Sequence, residues 1–220
     1  MCGRFSLKTD LAELMEAFPG FVFPAELPPR YNIAPSQLVA VVANNGQNKV
    51  EFLRWGLIPA WAKEPSIGNR MINARAETLA EKPAFRAAYR RRRCLVLADG
   101  FYEWRAEPGR KGKTPLYIRL ASGRPFAFGG LWEHWQSGEE SVLSCTIITT
   151  RPNALLEPIH DRMPLILKPG DYAHWLAEAE PANLSDLLQP YPASEMVAYP
   201  VSKLVNDPKN DLPDCVAPLG

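Results

Sequence analysis

Between residues 38 and 150 the chain runs through a close succession of apolar stretches: LVAVVAN at 38–44, EFLRWGLIP at 51–59, RCLVLADGFYEW at 93–104, PLYIRL at 115–120, FAFGGLW at 126–132 and SVLSCTIITT at 141–150. Most are bounded by Gly, Pro, Asn or Ser, residues that turn a chain, so each reads as a strand. Helical periodicity is sparser. Leu11, Leu14, Met15 and Phe18 recur at helical spacing with Thr9 as a cap, and KPAFRAAYRRR (82–92), PGDYAHWLAEAE (169–180) and LSDLLQPY (184–191) read as helices, with Pro83 and Pro169 near helix starts. Strands in succession without regular βαβ alternation predict an α+β fold. The expectation is one domain over 1–220, a mainly antiparallel, barrel-like sheet with flanking helices, since no repeat, low-complexity block or polar linker divides the chain. The 22 prolines fix many loops, and loops held on a rigid scaffold commonly carry sites.

Charge and cysteine usage then narrow the function classes. Lys and Arg number 25 against 24 Asp and Glu, so no global positive field attracts a polyanion and any phosphate binding must be local. No apolar run approaches the roughly 20 residues of a membrane span, and the first residues lack the basic-then-apolar order of a signal peptide. The chain therefore reads as cytoplasmic, with no membrane partner. Cys2, Cys94, Cys145 and Cys215 are scattered without paired short spacing, which argues against a zinc site and against a disulfide scaffold. They read as reduced thiols, with no metal and no cofactor.

The opening MCGRF places a cysteine directly behind the initiator. Cys2 is small enough for Met1 to be trimmed, which would leave an α-amine beside a thiol; taken without further context, it reads as a small apolar residue starting a strand. In INARAET, an extended backbone would put Asn73, Arg75 and Glu77 on one face. In ADGFYEW, Tyr102 and Trp104 flank Glu103 and would desolvate it, raising its pKa towards the range useful for proton transfer; the alternative is an exposed Glu on a strand face. His160 lies in a loop bracketed by Pro158 and Pro164 beside Asp161 and Arg162, suited to acid/base work or to a hydrogen bond that pins the loop. His134 and His174 each precede a Trp, at a strand end and in a helix, and read as structural. RYNIAPSQ, with Arg30, Asn32 and Pro35, reads as too polar and too Pro-broken for a core strand. The arginines at 90–93 end a helix, where cations complement the dipole, and are left outside the site. VNDPKN at 205–210 is a loop to which the sequence assigns no role.

MCGRF, RYNIAP, WGLIPAW, INARAET, CLVLADGFYEW, IHDRMPLIL and VSKLVND occur in an order and spacing that resemble the SRAP family, the SOS response-associated peptidases that process abasic DNA sites. The resemblance runs from Cys2 to about Asn210. It implies that Met1 is removed and that Cys2 attacks the ring-opened aldehyde of an abasic site in single-stranded DNA. An α-amine has a pKa of about 7.7 to 8.0 against about 10.4 for Lys, so it forms a Schiff base without deep burial, and the thiol then closes a thiazolidine. By the same resemblance Glu103 relays the amine proton and assists reversal, His160 helps to open the sugar, and Asn73 positions Cys2 or the sugar. Arg4, Arg75 and Arg162 hold phosphates, and Trp61 and Pro35 face bases flanking the lesion. For Arg75 and Arg162 the residues alone allow salt bridges with Glu77 or Asp161 instead. The implied protein is a monomer without a cofactor.

Other classes share parts of this pattern. N-terminal-nucleophile glutamine amidotransferases also expose a Cys after Met removal but need an oxyanion hole, for which Asn45-Gly46 is the candidate, and the later motifs do not fit them. Autocatalytic loss of Met1 would make the chain a peptidase, and a Schiff base could lead to a lyase side reaction. A reader domain binding damaged or modified DNA without reacting would use the same Arg and aromatic groove.

Overall fold

The structure, a computed structural model, describes residues 2–107, 109, 112–177 and 181–219. The expected removal of Met1 and the end of the expected helix at 178–180 lie outside the described residues. In chain order the elements are β1 (Phe5–Leu7), α1 (Leu11–Ala17), β2 (Arg30–Ile33), β3 (Leu38–Ala43), β4 (Val50–Trp55), β5 (Asn73–Arg75), α2 (Arg86–Arg91), β6 (Arg93–Ala98), β7 (Gly100–Ala106), β8 (Lys113–Leu120), β9 (Phe126–Ser137), β10 (Glu140–Thr150), β11 (Met163–Pro164), β12 (Ile166–Leu167), α3 (Tyr172–Leu176) and β13 (Met196–Pro200). Short 3-10 turns connect several of them, including Pro181–Leu187 where a helix was expected.

The pairing β10-β4-β3-β6-β9 returns to β10 through the long β9–β10 hairpin, so these strands close into a barrel. Closure explains why β6 is buried along its whole length. The β10 edge is shared: β4 pairs with it in parallel at Ser144↔Arg54 and Cys145↔Trp55, then β5 takes over at Ile147↔Asn73. Gly56 makes that handover possible. It has φ 129°, and a Cβ there would stand 2.6 Å from the Gly68 carbonyl oxygen.

A second sheet, ordered β13-β8-β7-β1-β2, packs against the barrel. Edge-on contacts of Phe128 in β9 with Phe5 (5.7 Å) and Phe101 (6.1 Å) join the two into one core. The fold is thus α+β, as the strand succession predicts, with parallel β10 pairings that it does not. No described helix is long and apolar enough to cross a membrane.

RCLVLADGFYEW is two strands in different sheets, broken at Asp99. That carboxylate is 2 % exposed and accepts from Ser6 Oγ (2.6 Å), the Lys8 and Thr9 amides, Thr9 Oγ1 (2.9 Å) and Tyr117 OH (3.2 Å). Five donors satisfy the buried charge and staple β1 to the β6–β7 bend. Gly100 follows because any Cβ there would lie 2.2 Å from the Tyr117 ring. Thr9 is consumed by Asp99, so Asp10 caps α1 instead, accepting from the Glu13 amide at 2.9 Å. Leu14 and Phe18 bury the apolar face of α1, whereas Met15 is exposed.

RYNI is a strand after all. Asn32 is buried, and its Nδ2 donates to the carbonyls of Val205, Asp207 and Asn210; Asp211 accepts from Arg30 and from the Tyr31 and Asn32 amides. These bonds give the 205–210 loop its role as a clasp over the second sheet.

Candidate active site

The antiparallel pairing of β1 with β7 continues beyond β1, because the Tyr102 amide donates to the Arg4 carbonyl at 2.9 Å. The residues before β1 are thereby laid along β7 and carried towards Glu103. Cys2 is fully buried, its carbonyl accepts from Asn73 Nδ2 at 2.9 Å, and its thiol lies 3.9 Å from the Arg4 carbonyl. Burial, reinforced by the charge of nearby Glu103, pushes the Cys2 thiol far above the usual range. Asn73 stands at the start of β5, where the β10 edge fixes it, and its Oδ1 is buried without a hydrogen-bond partner among the described residues.

Glu103 is 3 % exposed, and burial pushes its carboxyl up to about 7. The expected source of that desolvation is corrected by strand alternation. Tyr102 and Trp104 point to the opposite face, into the small core with Tyr117, Val201 and Val205. Glu103 lies on the face of its cross-strand partner Leu116, which belongs to the main core. Asp161 and Lys113 act electrostatically on both Glu103 and His160, which places the two in one environment. Lys113 escaped the sequence reading because it stands in a different strand, beside no motif.

His160 Nδ1 accepts from the Arg162 amide at 3.0 Å and lies 2.8 Å from Asp161 Oδ1. The two contacts belong to different protonation states: the neutral ring accepts at Nδ1 and carries its proton on Nε2, while the imidazolium pairs with Asp161. Burial lowers the His160 pKa, with Asp161 opposing, so the neutral form is favoured.

Arg162 makes a forked pair with Glu77, Nη1 to Oε1 at 2.7 Å and Nη2 to Oε2 at 2.8 Å, and Nη2 also donates to the Thr149 carbonyl. Its side chain is 12 % exposed, so the salt bridge with Glu77 is the arrangement realised. Hydrogen bonding to Arg162 lowers the Glu77 pKa. The pair ties the His160 loop to β5 and β10. The alternation of Asn73, Arg75 and Glu77 ends at Arg75, since Ala76–Thr78 is a 3-10 turn. Arg75 is exposed, and among the described residues no carboxylate lies within ion-pair distance of it, although its charge helps to lower the Glu77 pKa. Arg4 donates to Asn32 Oδ1 (2.8 Å) and the Val205 carbonyl (2.6 Å), and its guanidinium lies 5.9 Å from the Trp104 ring centroid. Trp61 is 59 % exposed on a loop anchored by Trp135 Nε1 donating to the Ala62 carbonyl at 2.7 Å, and Pro35 is half-buried after β2.

Cys2, Asn73, Glu103 and His160 thus converge, with Arg75 at the margin. Asn45-Gly46 does not join them: it lies on the exposed β3–β4 turn, where Asn45 Nδ2 donates to Glu51 at 2.8 Å. His134 is exposed within β9, its Nε2 2.7 Å from Ser141 Oγ, and His174 is exposed on α3. Among the described residues no group of His, Cys, Asp and Glu side chains could hold a metal ion.

A family model described as SOS response associated peptidase (SRAP) matches residues 1–208. The Bacillus subtilis (strain 168) protein "Abasic site processing protein YoqW" is 50 % identical over 223 residues, spanning 98 % of this chain and 99 % of that one. "Abasic site processing protein HMCES" of Xenopus tropicalis is 31 % identical, over 87 % of this chain and 66 % of its own. A crystal structure of a Bacteroides thetaiotaomicron protein superposes with a TM-score of 0.88 at 27 % identity, covering 99 % of this chain and all of that one.

Proposed function

The chain belongs to the SOS response associated peptidase (SRAP) family, and from that premise we propose that it processes abasic sites in single-stranded DNA by capturing them covalently on Cys2, acting as a monomer without a cofactor. The observation that carries this reading is a buried carboxyl, Glu103, held near neutral pKa against a fully buried Cys2 whose carbonyl Asn73 grips.

The order of events follows from the two nucleophiles of a liberated Cys2. Burial keeps the thiol protonated, so the α-amine attacks first. Addition to the sugar aldehyde gives a carbinolamine, which loses water to form the imine. Sulfur then adds to the imine carbon, its proton ends on nitrogen, and a five-membered thiazolidine closes; one water leaves in total. A carboxyl with pKa about 7 can give a proton to the departing hydroxyl and take one from the thiol at the same pH. His160, neutral and carrying its proton on Nε2, serves ring opening of the sugar. Asn73 fixes the Cys2 backbone so that amine and sulfur face one carbon. Arg75 supplies phosphate contact, and Trp61 a stacking surface worth about 1 to 3 kcal/mol per base.

Mixing the processed protein with a single strand bearing one abasic site yields a denaturation-resistant conjugate, which Cys2→Ala abolishes. An Ala variant giving an equally stable conjugate would remove Cys2 from the reaction, and a parent protein that binds reversibly without any conjugate would favour the reader alternative.

A further inference from the structure

The arginines at 90–93 have separate fates, and two of them have no structural task. Arg93 is fully buried, and its guanidinium donates to the carbonyls of Tyr89 and Arg90 at the end of α2 and of Trp175 and Ala177 at the end of α3. Arg92 pairs with Glu133 at 2.8 Å. Arg90 and Arg91 are exposed, as are Arg86 one turn earlier and Lys82 before the helix, and among the described residues none of these four has an ion pair or side-chain hydrogen bond.

Capping does not account for them. The Ala88 carbonyl accepts from the Arg92 amide, those of Tyr89 and Arg90 are taken by Arg93, that of Arg91 accepts from Asn44 Nδ2 at 3.2 Å, and that of Arg92 from the Trp132 amide. Every carbonyl at the helix end is satisfied without Arg90 or Arg91. A helix of six residues also carries little dipole to complement. Buried Ala88 and Tyr89 hold α2 on the barrel, so its guanidinium groups face solvent. Glu81 is the sole carboxylate among residues 81–92, in a chain whose net charge is only +1. Among the described residues no carboxylate lies within ion-pair distance of these four, so this is a local concentration of cations.

Its place in the barrel connects it to the site. Asn73, Ile147, Gly130 and Cys94 are consecutive partners across β5, β10, β9 and β6. Three strand spacings of about 4.8 Å put Cys94 about 15 Å from Asn73 along the wall. Arg90 and Arg91 lie just upstream of Cys94. A single strand that left the site along this wall would have to span about that distance to meet them.

We propose that Lys82, Arg86, Arg90 and Arg91 form a second phosphate-binding surface that holds the DNA strand beyond the lesion. The inference rests on the proposed capture of abasic single strands. Guanidinium groups suit this role because they bind phosphate through forked, charge-assisted bonds without reading bases. The surface lengthens the footprint and adds salt dependence, and leaves the chemistry at Cys2 unchanged.

The test compares two abasic strands, one of about 8 nucleotides and one extended by about 16 on each side of the lesion. Affinity is measured across salt for the full-length protein and for Arg86→Gln/Arg90→Gln/Arg91→Gln. On the long strand the parent's log affinity falls more steeply with log salt by about 2, so between 50 and 200 mM salt it loses about 20-fold more affinity than the variant. On the short strand the two proteins match. Equal slopes on the long strand overturn the proposal, as does an equal loss of slope in a control carrying Arg124→Gln, Lys168→Gln and Lys209→Gln. Conjugate formation on the short strand separates the two readings: its absence in the parent refutes capture at Cys2, whereas its absence in the variant alone reports damage to the fold, in which case single Arg90→Gln and Arg91→Gln variants, each lowering the long-strand slope by about 0.7, decide the matter.

Discussion

Replacing Glu103 with Gln removes the titrating group while keeping its shape, and the structure gives the size of the effect. An unfolded Glu titrates near 4.3, whereas burial at 3 % exposure pushes the folded group up to about 7. The folded state therefore binds this proton more tightly than the unfolded chain does. The resulting stability is fully present below about pH 4.3 and is lost as the pH rises through about 7, for a total of roughly 3 to 4 kcal/mol. Gln carries no such term. Urea unfolding of both proteins from pH 4 to pH 8 should show the parent losing that amount relative to the variant, centred between the two values. At roughly 2 to 4 °C per kcal/mol for a chain of this size, thermal midpoints should diverge by about 10 °C. In the same variant the rate of conjugate formation should lose its pH dependence near 7. A stability difference that stays flat across this window, or that moves the other way as it would for a carboxylate stabilised in its charged form, refutes the reading of Glu103 as a buried acid poised for proton transfer.

Other perturbations address the parts that hold the site. Gly100→Ala should cost about 1 to 3 kcal/mol, read from the shift in urea midpoint, because the new Cβ meets the Tyr117 ring at 2.2 Å. Asp99→Ala leaves Ser6, Lys8, Thr9 and Tyr117 donors without their acceptor and should cost about 4 kcal/mol or more, with accelerated hydrogen exchange concentrated in β1 and β7. Arg75→Ala should reduce the salt slope of single-strand binding by about 0.7 with little change in stability, whereas Arg162→Ala, which breaks the fork with Glu77, should lower the unfolding midpoint.

The strands from Leu38 to Ala43 and from Val50 to Trp55 are legible because their apolar runs and turns are local signals. The break at Asp99 is not, since its cause is donors from residues 6, 8, 9 and 117 that only the folded chain assembles. The same holds for Asn32, whose polarity argued against a strand until three carbonyls of the 205–210 loop were brought over it. Parallel pairing of β4 and β5 on one edge of β10 depends on Gly56 and Gly68 meeting backbone to backbone, a contact between residues with no side chain to advertise it. At the site, Cys2, Asn73, Glu103 and His160 each stand out in their local sequence context, the motif resemblance gives them a shared role, and the folded chain brings them into one neighbourhood. The aromatic neighbours of Glu103 misled because adjacent residues on a strand face opposite ways. Arg162 was an open choice between phosphate and carboxylate, and the fork on Glu77 is visible only once the 3-10 turn after β5 is in place.

Intact-mass spectrometry of the purified protein, alone and after incubation with a single strand bearing one abasic site, bears most directly on capture by the amine and thiol of Cys2. The account predicts a polypeptide lighter than the encoded chain by one methionine residue, then a species heavier by the mass of the strand less one water. A protein that retains its methionine and still gains the strand, or one that loses the methionine and gains nothing, would contradict it.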